Sequence, residues 1–249
     1  MLAIITGGSS GIGLQTCIDI LLSDSTAFCA IVDINEPDYS FFKNNTINRV
    51  KYFRCDVSNY KESQKCFKKI ILWKNEITNL VTCAAINIVN PVISYSMEDW
   101  NRVISINLTG TFIWCNLVTN NMVSTKNKGS VVTVGSIASH FGFEGRSAYT
   151  ASKCGVIGLT KVLSNELSDK NIRVNCISPG FTETSLLKEK IKEGIINRNE
   201  LLNKNAIKRI ADPSEISNVI LFLLDNNKSS YITGQNIFVD GGFINKKMD

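Results

Sequence analysis

Near its start the chain reads Leu2-Ala3-Ile4-Ile5-Thr6-Gly7-Gly8-Ser9-Ser10-Gly11-Ile12-Gly13, and this stretch decides the fold. Its first five residues form an apolar run typical of a buried strand, and the residues from 11 to 22 have the apolar spacing of a helix. A glycine-rich turn between such a strand and helix lets the backbone approach the pyrophosphate of a dinucleotide, which lies at the helix N-terminus. The spacing Gly7-x-x-x-Gly11-x-Gly13 differs from the commoner Gly-x-Gly-x-x-Gly, but its position predicts the same use.

The rest of the chain alternates short apolar runs with longer amphipathic ones. We predict further strands at 28–33, 52–55, 79–84, 129–135, 172–178 and 236–239, and helices at 61–73, 97–118 (one long or two joined), 148–167 and 213–224. The second and third strands are close in sequence, which leaves little or no helix between them. Such alternation predicts a parallel sheet covered on both faces. No linker or repeat interrupts it, so we expect one doubly wound α/β domain over residues 1–249.

Acidic residues follow the second and third predicted strands, where a nucleotide would bind. Asp33 stands twenty residues after Gly13, the position at which an acid binds the adenosine ribose hydroxyls. A carboxylate there repels the 2′-phosphate of NADP, and no Lys or Arg stands among its neighbours at 9, 10 and 34–36. We therefore expect NAD as cofactor, with NADP disfavoured. Asp56 and Val57 can meet the adenine, through its amino group and its ring.

A second motif, Tyr149-x-x-x-Lys153, indicates acid–base chemistry. A spacing of four places both side chains on one helical face. A free tyrosine has a pKa of about 10, and a lysine ammonium beside it favours the phenolate and lowers that pKa. Tyr149 would then serve as a general acid or base near neutral pH. With Ser136 thirteen residues upstream and the glycine turn, the motif predicts hydride transfer between a nicotinamide and an alcohol or ketone.

The order and spacing of these motifs resemble the short-chain dehydrogenase/reductase family over essentially the whole chain. The matching residues are Thr6–Gly13, Asp56-Val57, Asn107-Leu108-Thr109-Gly110, Ser136, Tyr149, Lys153, Asn175, Pro179-Gly180, Ile232-Thr233-Gly234-Gln235 and Val239-Asp240-Gly241-Gly242. The resemblance implies a Rossmann-like fold and an NAD(P)-dependent oxidoreductase. It also implies a homotetramer or homodimer that pairs the helices around 97–118 and 148–167.

The resemblance further implies roles for individual residues. Tyr149 would be the acid/base, and Lys153 would tune it and hold the nicotinamide ribose. Ser136 would bind the substrate oxygen, and Asn107 would hold a water in a proton relay. The implied cofactor contacts, besides Tyr149 and Lys153, are Gly7, Ser9, Ser10, Gly11, Ile12, Gly13, Asp33, Ile34, Asp56, Val57, Ala84, Pro179, Gly180, Thr182 and Thr184.

One segment departs from the family pattern. After the fourth strand the family usually has Asn-Asn-Ala-Gly, whereas this chain has Thr82-Cys83-Ala84-Ala85. The two amides that would tie adjacent strands are absent, and Ala85 adds a methyl group where the backbone passes the cofactor. We expect an effect on local rigidity and cofactor affinity but not on the fold.

Composition excludes several classes of protein. The 249 residues are 44% hydrophobic with a formal charge of +5, and no basic block is dense enough for nucleic acid. Eight scattered cysteines and a single histidine favour neither a zinc site nor a disulfide framework, so we expect mostly buried, reduced thiols and no metal. No signal peptide and no apolar run of about 20 residues is visible. We expect a cytoplasmic protein without a membrane partner.

The substrate is less well specified. His140, four residues after Ser136, either touches substrate or only packs. Residues 184–210 are expected to form a lid over the pocket, with a modest excess of cations. Its inward-facing apolar residues would be Leu186, Leu187, Ile191, Ile195 and Ile196.

Three functions remain open from the sequence. The first is an NAD-dependent secondary alcohol dehydrogenase or ketone reductase that acts on a small soluble molecule. The second is a 3-oxoacyl-acyl-carrier-protein reductase, although such enzymes usually prefer NADPH. The third is a non-catalytic nucleotide-binding sensor or scaffold, because fold alone does not settle function.

Overall fold

The computed structural model describes residues 1–192, 194 and 197–246. Within these ranges, seven parallel strands form one sheet in the order β3-β2-β1-β4-β5-β6-β7. The strands are β1 Leu2–Thr6, β2 Phe28–Asp33, β3 Val50–Arg54, β4 Ile77–Thr82, β5 Gly129–Val134, β6 Ile172–Pro179 and β7 Asn236–Val239. The strand order reverses between β1 and β4, which opens a crevice at the carboxyl ends of these two strands.

Helices cover both faces of the sheet, as the alternating pattern predicts. In chain order they are α1 Gly11–Ser23, α2 Asn44–Ile47, α3 Tyr60–Trp73, α4 Met97–Ile104, α5 Gly110–Ser124, α6 Ser147–Leu167, α7 Ser185–Lys192, α8 Arg198–Lys204 and α9 Pro213–Leu224. Helices α1 and α9 bury apolar residues at helical spacing on one face, and α3, α5 and α6 do so on the other. The expected doubly wound α/β fold is confirmed.

Three predicted strands end earlier than expected. The third strand ends at Arg54 rather than at residue 55, the fourth at Thr82 rather than at residue 84, and the fifth at Val134 rather than at residue 135. Cys55, Cys83 and Ala84 are apolar, but they leave the sheet to form the wall of the crevice. Hydrophobicity alone does not separate a residue buried in a sheet from one that lines a cleft.

The long helical segment predicted at 97–118 is two helices with a wider turn between them. Helix α4 ends at Ile104, a π-helical turn follows over Ser105–Thr109, and α5 continues from Gly110. The turn places Asn107 in the interior, where its side chain is fully buried. Such single π turns occur often at functional sites.

The two strands at the middle and the edge of the sheet have different surroundings. Strand β1 is buried along its whole length between β2 and β4. Strand β3 forms one edge and exposes Lys51 and Arg54. A four-residue helix, α2, is the one α-helix that the structure shows between β2 and β3. None of the described helices has the length and apolar character to cross a membrane.

Candidate active site

A cleft of about 390 Å³ lies at the carboxyl ends of β1 to β4, at the point where the strand order reverses. Most of the residues expected to contact a cofactor line it: Gly7, Ser10, Gly11, Ile12, Gly13, Asp33, Ile34, Asp56, Val57, Ala84 and Thr184. It is also lined by residues that the sequence motifs missed, namely Asn35, Cys55, Cys83, Ala85, Ile86, Ile106 and Val134. Cys83 and Ala85 belong to the segment Thr82–Ala85, which was expected to pass the cofactor, and Ile106 lies in the π-helical turn. The other residues belong to no motif, and the signal that they carry is their place at or shortly after the end of a strand.

The glycine turn packs its backbone directly against the segment after β4. Gly7 has a left-handed φ of +65°, and a Cβ on it would lie 2.5 Å from the amide nitrogen of Ala84. A Cβ on Gly13 would lie 2.2 Å from the carbonyl oxygen of Gly7. Side chains at these positions would displace the main chain, so the turn needs glycine for close approach as well as for conformation.

The Asp33 carboxylate stabilises the glycine turn. One of its oxygens accepts a hydrogen bond from the Ser9 N–H at 3.1 Å, and the other accepts from the Asn35 N–H at 3.2 Å. The Ser9 hydroxyl in turn donates to the Asn35 carbonyl at 2.6 Å. Asp33 therefore holds the tip of the turn against the end of β2. The carboxylate lines the cleft, where it keeps lone pairs for a further donor.

Asp56 and Val57 form the next part of the wall. The Asp56 carboxylate accepts from the Ser58 N–H at 2.9 Å and from the Ser58 hydroxyl at 2.7 Å. Val57 is buried, and its side chain lies within 2.9 Å of where a Cβ on Gly110 would be. The turn after β3 is thus fixed at both residues by local contacts.

Tyr149 and Lys153 come from α6, and Ser136 comes from the chain just after β5. The Lys153 ammonium is 97% buried and donates a hydrogen bond to the Val134 carbonyl at 2.7 Å. Its Nζ lies 5.8 Å from the centre of the Tyr149 ring. The Ser136 Oγ accepts from the Ala138 N–H at 3.1 Å. Lys153 therefore connects the helix that carries Tyr149 to the end of the strand that precedes Ser136.

Asn107 joins three parts of the site through its side chain. Its amide donates to the Ile86 carbonyl at 2.9 Å and to the Ser152 hydroxyl at 3.1 Å, and its Oδ1 accepts from the Ile86 N–H at 2.8 Å. The Ser152 hydroxyl donates to the Tyr149 carbonyl at 2.7 Å. The chain after β4 is thereby held against α6. The proton-relay role expected for Asn107 stays a prediction.

Although Thr82–Ala85 departs from the family pattern, a main-chain hydrogen bond still joins the end of β4 to β1. The Cys83 N–H donates to the Thr6 carbonyl at 2.9 Å, whereas the buried Thr82 hydroxyl has no hydrogen-bond partner among the described residues. Burial raises the pKa of the Cys83 thiol to about 12, against the opposing effect of the Lys153 ammonium. At neutral pH, Cys83 is therefore a neutral, weakly polar residue in the wall of the cleft.

The remaining predicted contacts lie after β6. The Gly180 N–H donates to the Val239 carbonyl at 3.0 Å, and the Thr182 hydroxyl donates to the Gly180 carbonyl at 3.2 Å. Pro179 is the last residue of β6. Pro179, Gly180 and Thr182 are not among the residues that line the cleft, whereas Thr184 reaches it over Gly11. Ser9, Ser136, Tyr149 and Lys153 are also outside its lining, although Lys153 donates to the carbonyl of Val134, which lines it.

Helices α7 and α8 occupy the segment expected to be a lid. Leu187 and Ile191 are half-buried, as an inward-facing side requires. Ile195 and Ile196 lie outside the described residues, as does the side chain of Leu186. An ion pair of 2.8 Å joins Arg198 of α8 to Glu183, just before α7.

His140 packs in a group of aromatic rings. It is exposed, and its ring meets Phe141 and Phe238 edge-on at centroid distances of 5.4 and 5.6 Å. Phe243 joins the same group through Phe141, Phe143 and Phe181. This packing is one of the two roles expected for His140. Within the described ranges, no three His, Cys, Asp or Glu side chains form a group that could hold a metal ion.

Comparison with known proteins assigns a family. A family model described as enoyl-(acyl carrier protein) reductase matches residues 7–244. The chain is 36% identical to the 3-oxoacyl-[acyl-carrier-protein] reductase FabG of Chlamydia pneumoniae, and the match covers 96% of this chain and 95% of that protein. It is also 36% identical to carbonyl reductase family member 4 of Xenopus laevis, over 95% of this chain and 94% of that protein.

Solved structures share the fold over nearly the whole chain. Levodione reductase superposes with a TM-score of 0.88 at 26% identity, over 97% of this chain and 96% of that one. A structure described as gox2181 gives a TM-score of 0.88 at 27% identity, over 98% and 96% of the two chains.

Proposed function

The chain belongs to the short-chain dehydrogenase/reductase family, and we propose that it interconverts a secondary alcohol and a ketone with NAD(H). The relatives described above are oxidoreductases that act on CH–OH groups. One observation carries the proposal. The buried Lys153 lies beside the Tyr149 ring and donates to the carbonyl of Val134, which lines the same cleft as the glycine turn. The arrangement favours a dinucleotide that reaches from the glycine turn toward Tyr149. The relatives named as reductases also favour an enzyme over the non-catalytic sensor.

The residues that would hold a dinucleotide fit the group. The glycine turn presents bare main chain to the cleft, and the first residues of α1, Gly11 to Gly13, line it, where the unpaired N–H groups of a helix N-terminus favour a phosphate. The nicotinamide supplies or accepts the hydride when it is bound. Asp33 and Asp56 would contact the adenosine half, and Pro179, Gly180, Thr182 and Thr184 the nicotinamide half.

The protein's own contribution is proton transfer and positioning. Tyr149 would donate a proton to the ketone oxygen in reduction and accept it in oxidation. Lys153, held by the Val134 carbonyl, would stabilise the phenolate by its charge, and Ser136 would orient the substrate oxygen. Asn107 fixes the geometry by tying α6 to the chain after β4.

Replacing Tyr149 by Phe tests this assignment. We expect Tyr149→Phe to lower kcat by about 10²- to 10⁴-fold, because it removes the transferred proton. The Kd for NADH, followed by cofactor fluorescence, should stay within about twofold because the hydroxyl is a small part of the binding surface. Tyr60→Phe is the control, since Tyr60 is half-exposed on α3. Turnover retained by Tyr149→Phe would remove Tyr149 from its role.

The preference for NAD rests on Asp33. Its carboxylate would meet the ribose hydroxyls and repel a 2′-phosphate. A positive charge that would offset this repulsion is Arg54, which pairs with Asp33 in the β2–β3 register and is exposed at the edge of the sheet. We expect NADH to bind more tightly than NADPH, and Asp33→Asn to narrow that difference in direct titrations. Equal affinities in the wild-type protein would contradict the proposal.

A second substrate class is favoured by the relatives. Proteins 34–36% identical over almost the whole chain are named 3-oxoacyl-[acyl-carrier-protein] reductases. The half-buried Leu187 and Ile191 of the proposed lid, residues 184–210, would suit an acyl chain. The two classes are separated by comparing kcat/KM for a 3-oxoacyl group on an acyl carrier protein with that for small free ketones. A much higher value for the carrier-bound substrate would put this function first.

The assembly belongs to the same proposal. Residues 1–249 would act as one catalytic domain in a homotetramer or homodimer. Phe112 of α5 and Val162 of α6 are 50% and 52% exposed, and such apolar side chains suit packing of these helices between copies. Light scattering of the purified protein measures the number of copies. The cytoplasmic location stays a prediction.

A further inference from the structure

Four of the eight free cysteines form two close pairs. The thiol of Cys29 donates a hydrogen bond to the Cys17 carbonyl at 3.8 Å, and the thiols of Cys55 and Cys66 are near enough for each to shift the pKa of the other. Neither pair is part of the catalytic group described above. Two thiols in contact can become a disulfide with little movement of the main chain, provided that an oxidant reaches one of them.

Cys55 and Cys66 are brought together by the packing of α3 on the end of β3. Cys55 is the first residue after β3, and its sulfur lies 3.6 Å from the hydroxyl of Ser63 on α3. Cys66 is one helical turn beyond Ser63, on the same face of α3. Both cysteines are buried, with 1% and 4% of their surface exposed. The two cysteines are therefore placed near each other by the packing of α3 against the chain that leaves β3.

The two pairs differ in access. Cys55 lines the cleft beside Asp56 and Val57, and Cys66 lines a separate groove between β3 and α3. Cys17 and Cys29 have no exposed surface, because they lie between α1 and β2. A small oxidant in the cleft can reach Cys55, whereas the Cys17 pair is enclosed by the core.

The two pairs also differ in reactivity. Hydrogen bonds from the thiol of Cys66 and the hydroxyl of Ser63 lower the pKa of Cys55, and the same contact raises the pKa of Cys66. Burial raises the pKa of Cys17 well above its usual value. Since the thiolate is the nucleophile, Cys55 is the member that reacts first.

We propose that Cys55 and Cys66 are a peroxide-responsive pair that closes to a disulfide beside the adenine end of the cofactor cleft. The Cys55 thiolate attacks one oxygen of hydrogen peroxide, and the O–O bond breaks to leave a sulfenic acid and, after protonation, water. The Cys66 sulfur then attacks the Cys55 sulfur. The S–O bond breaks, and the departing hydroxyl takes the Cys66 proton and leaves as a second water. Two thiols are oxidised and one peroxide is reduced.

The disulfide and the cofactor should oppose each other, and this part rests on the proposed function. To form the bond, the Cys55 sulfur must move toward Cys66 to bonding distance, which draws the adjoining Asp56 toward α3. A bound cofactor would cover Cys55 and hold Asp56 in place. Because coupling between two sites is reciprocal, we expect the disulfide to raise the Kd for NADH at least about fivefold and NADH to slow the oxidation.

Trypsin separates the two cysteines cleanly. Cleavage after Arg54, Lys61, Lys65 and Lys68 puts Cys55 in peptide 55–61 and Cys66 in peptide 66–68. After brief treatment with hydrogen peroxide, we expect mass spectrometry to find these two peptides joined, and dithiothreitol to separate them. Cys17 and Cys29 share one peptide, 1–43, which should keep its full mass. Unlinked 55–61, or equal oxidation of both pairs, would overturn the proposal.

Variants separate the two chemical steps. Cys66→Ala should accumulate the Cys55 sulfenic acid, which dimedone traps on peptide 55–61, whereas the wild-type protein should show little trapping because Cys66 resolves it. Cys17→Ala is the matched control and should form the 55–66 link at the wild-type rate. Equal trapping in all three proteins would overturn the role of Cys66. If the linked peptides form but NADH binds neither reduced nor oxidised protein, the disulfide stands and the proposed function fails.

Discussion

The glycine turn and the proposed lid, residues 184–210, meet at Thr184 beside the same cleft, but they are built in opposite ways. Gly11 of the turn lies against Thr184, the first residue of the lid. The turn follows a strand that is buried at every residue, and its backbone touches the backbone of Ala84. The lid consists of two short helices with largely exposed side chains, α7 and α8, and ion pairs on the surface connect it to its neighbours.

The difference shows how binding and specificity are divided in this chain. At the turn, main-chain contacts leave no room for substitution, so the nucleotide end of the cleft is fixed by the core. At the proposed lid, Leu201, Asn205 and Ile210 are buried, but the ion pairs that connect it to its neighbours are exposed and contribute little stability each. Its exposed positions can therefore vary with the substrate without disturbing the sheet.

The largest effect should come from filling the turn. In Gly13→Ala the new methyl group would lie 2.2 Å from the Gly7 carbonyl oxygen, so the main chain must move. We expect a loss of about 3 kcal/mol in the free energy of unfolding, the upper range for overpacking, measured by urea denaturation. NADH binding should weaken at least tenfold, by about 1.4 kcal/mol or more.

A glycine in open space provides the control for this substitution. Gly158 lies in α6, and a Cβ there would meet nothing within 4 Å. Gly158→Ala should leave NADH binding unchanged and raise stability by about 0.5–1 kcal/mol, because alanine favours a helix. Equal destabilisation by both substitutions would show that the turn is not specially constrained.

A smaller effect is expected from opening the lid. Arg198→Met removes the ion pair with Glu183, whose two side chains are 51% and 29% exposed. Stability should fall by less than about 1 kcal/mol, whereas KM for the substrate should rise more than kcat changes, because the pair joins α8 to Glu183, the neighbour of Thr184 in the wall of the cleft. The matched control is Lys170→Met, which removes the exposed Lys170–Asp169 pair in the turn after α6. A similar rise of KM in both variants would contradict a lid role.

The smallest expected effect is the pH-dependent contribution to stability of Glu215, which lies just after the end of the proposed lid. Hydrogen bonds from the Arg209 guanidinium and the Asp212 N–H lower the pKa of Glu215 to about 2, from its usual 4.5. Glu215 thus binds its proton less readily in the folded protein than in the unfolded chain. Its stabilising contribution is present above about pH 4.5 and is lost as the pH falls toward 2.

The comparison with Glu215→Gln isolates this contribution. In urea denaturation the wild-type protein should be slightly more stable than Glu215→Gln at pH 6, and the difference should shrink steadily below pH 4.5. Because Glu215 is exposed, high salt should reduce the difference at pH 6. A difference that grows on acidification would have the wrong sign for a lowered pKa.

Much of the sheet could be predicted because its strands are short apolar runs with clear ends. Strands β1, β2 and β7 and helix α9 have the predicted bounds. Helix α9 is marked by Pro213 and by the reciprocal capping of Asp212 and Glu215, which are local signals. The glycine turn and the Tyr149/Lys153 pair were recognisable for the same reason, since each is a local motif.

Contacts between distant parts of the chain could not be predicted. Nothing near Lys153 in sequence indicates that it donates to Val134, nor that Asn107 holds Ile86. The contact of Cys55 with Cys66 depends on how α3 lies against β3, which periodicity does not determine. The lid is the weakest case, because its alternating charged and apolar residues fit a solvated helix as well as a pocket wall.

The central position of β1 also affects how the chain reaches this fold. β1 pairs with β2, whose residues follow some 26 positions later, and with β4, which follows about 75 positions later. At synthesis rates of roughly 5–20 residues per second, β4 emerges about 4–15 s after β1. During that interval a strand that is buried at every residue in the native sheet has one side without its partner. Pairing over such a distance slows folding, so the early chain must avoid aggregation until residue 82 has been added.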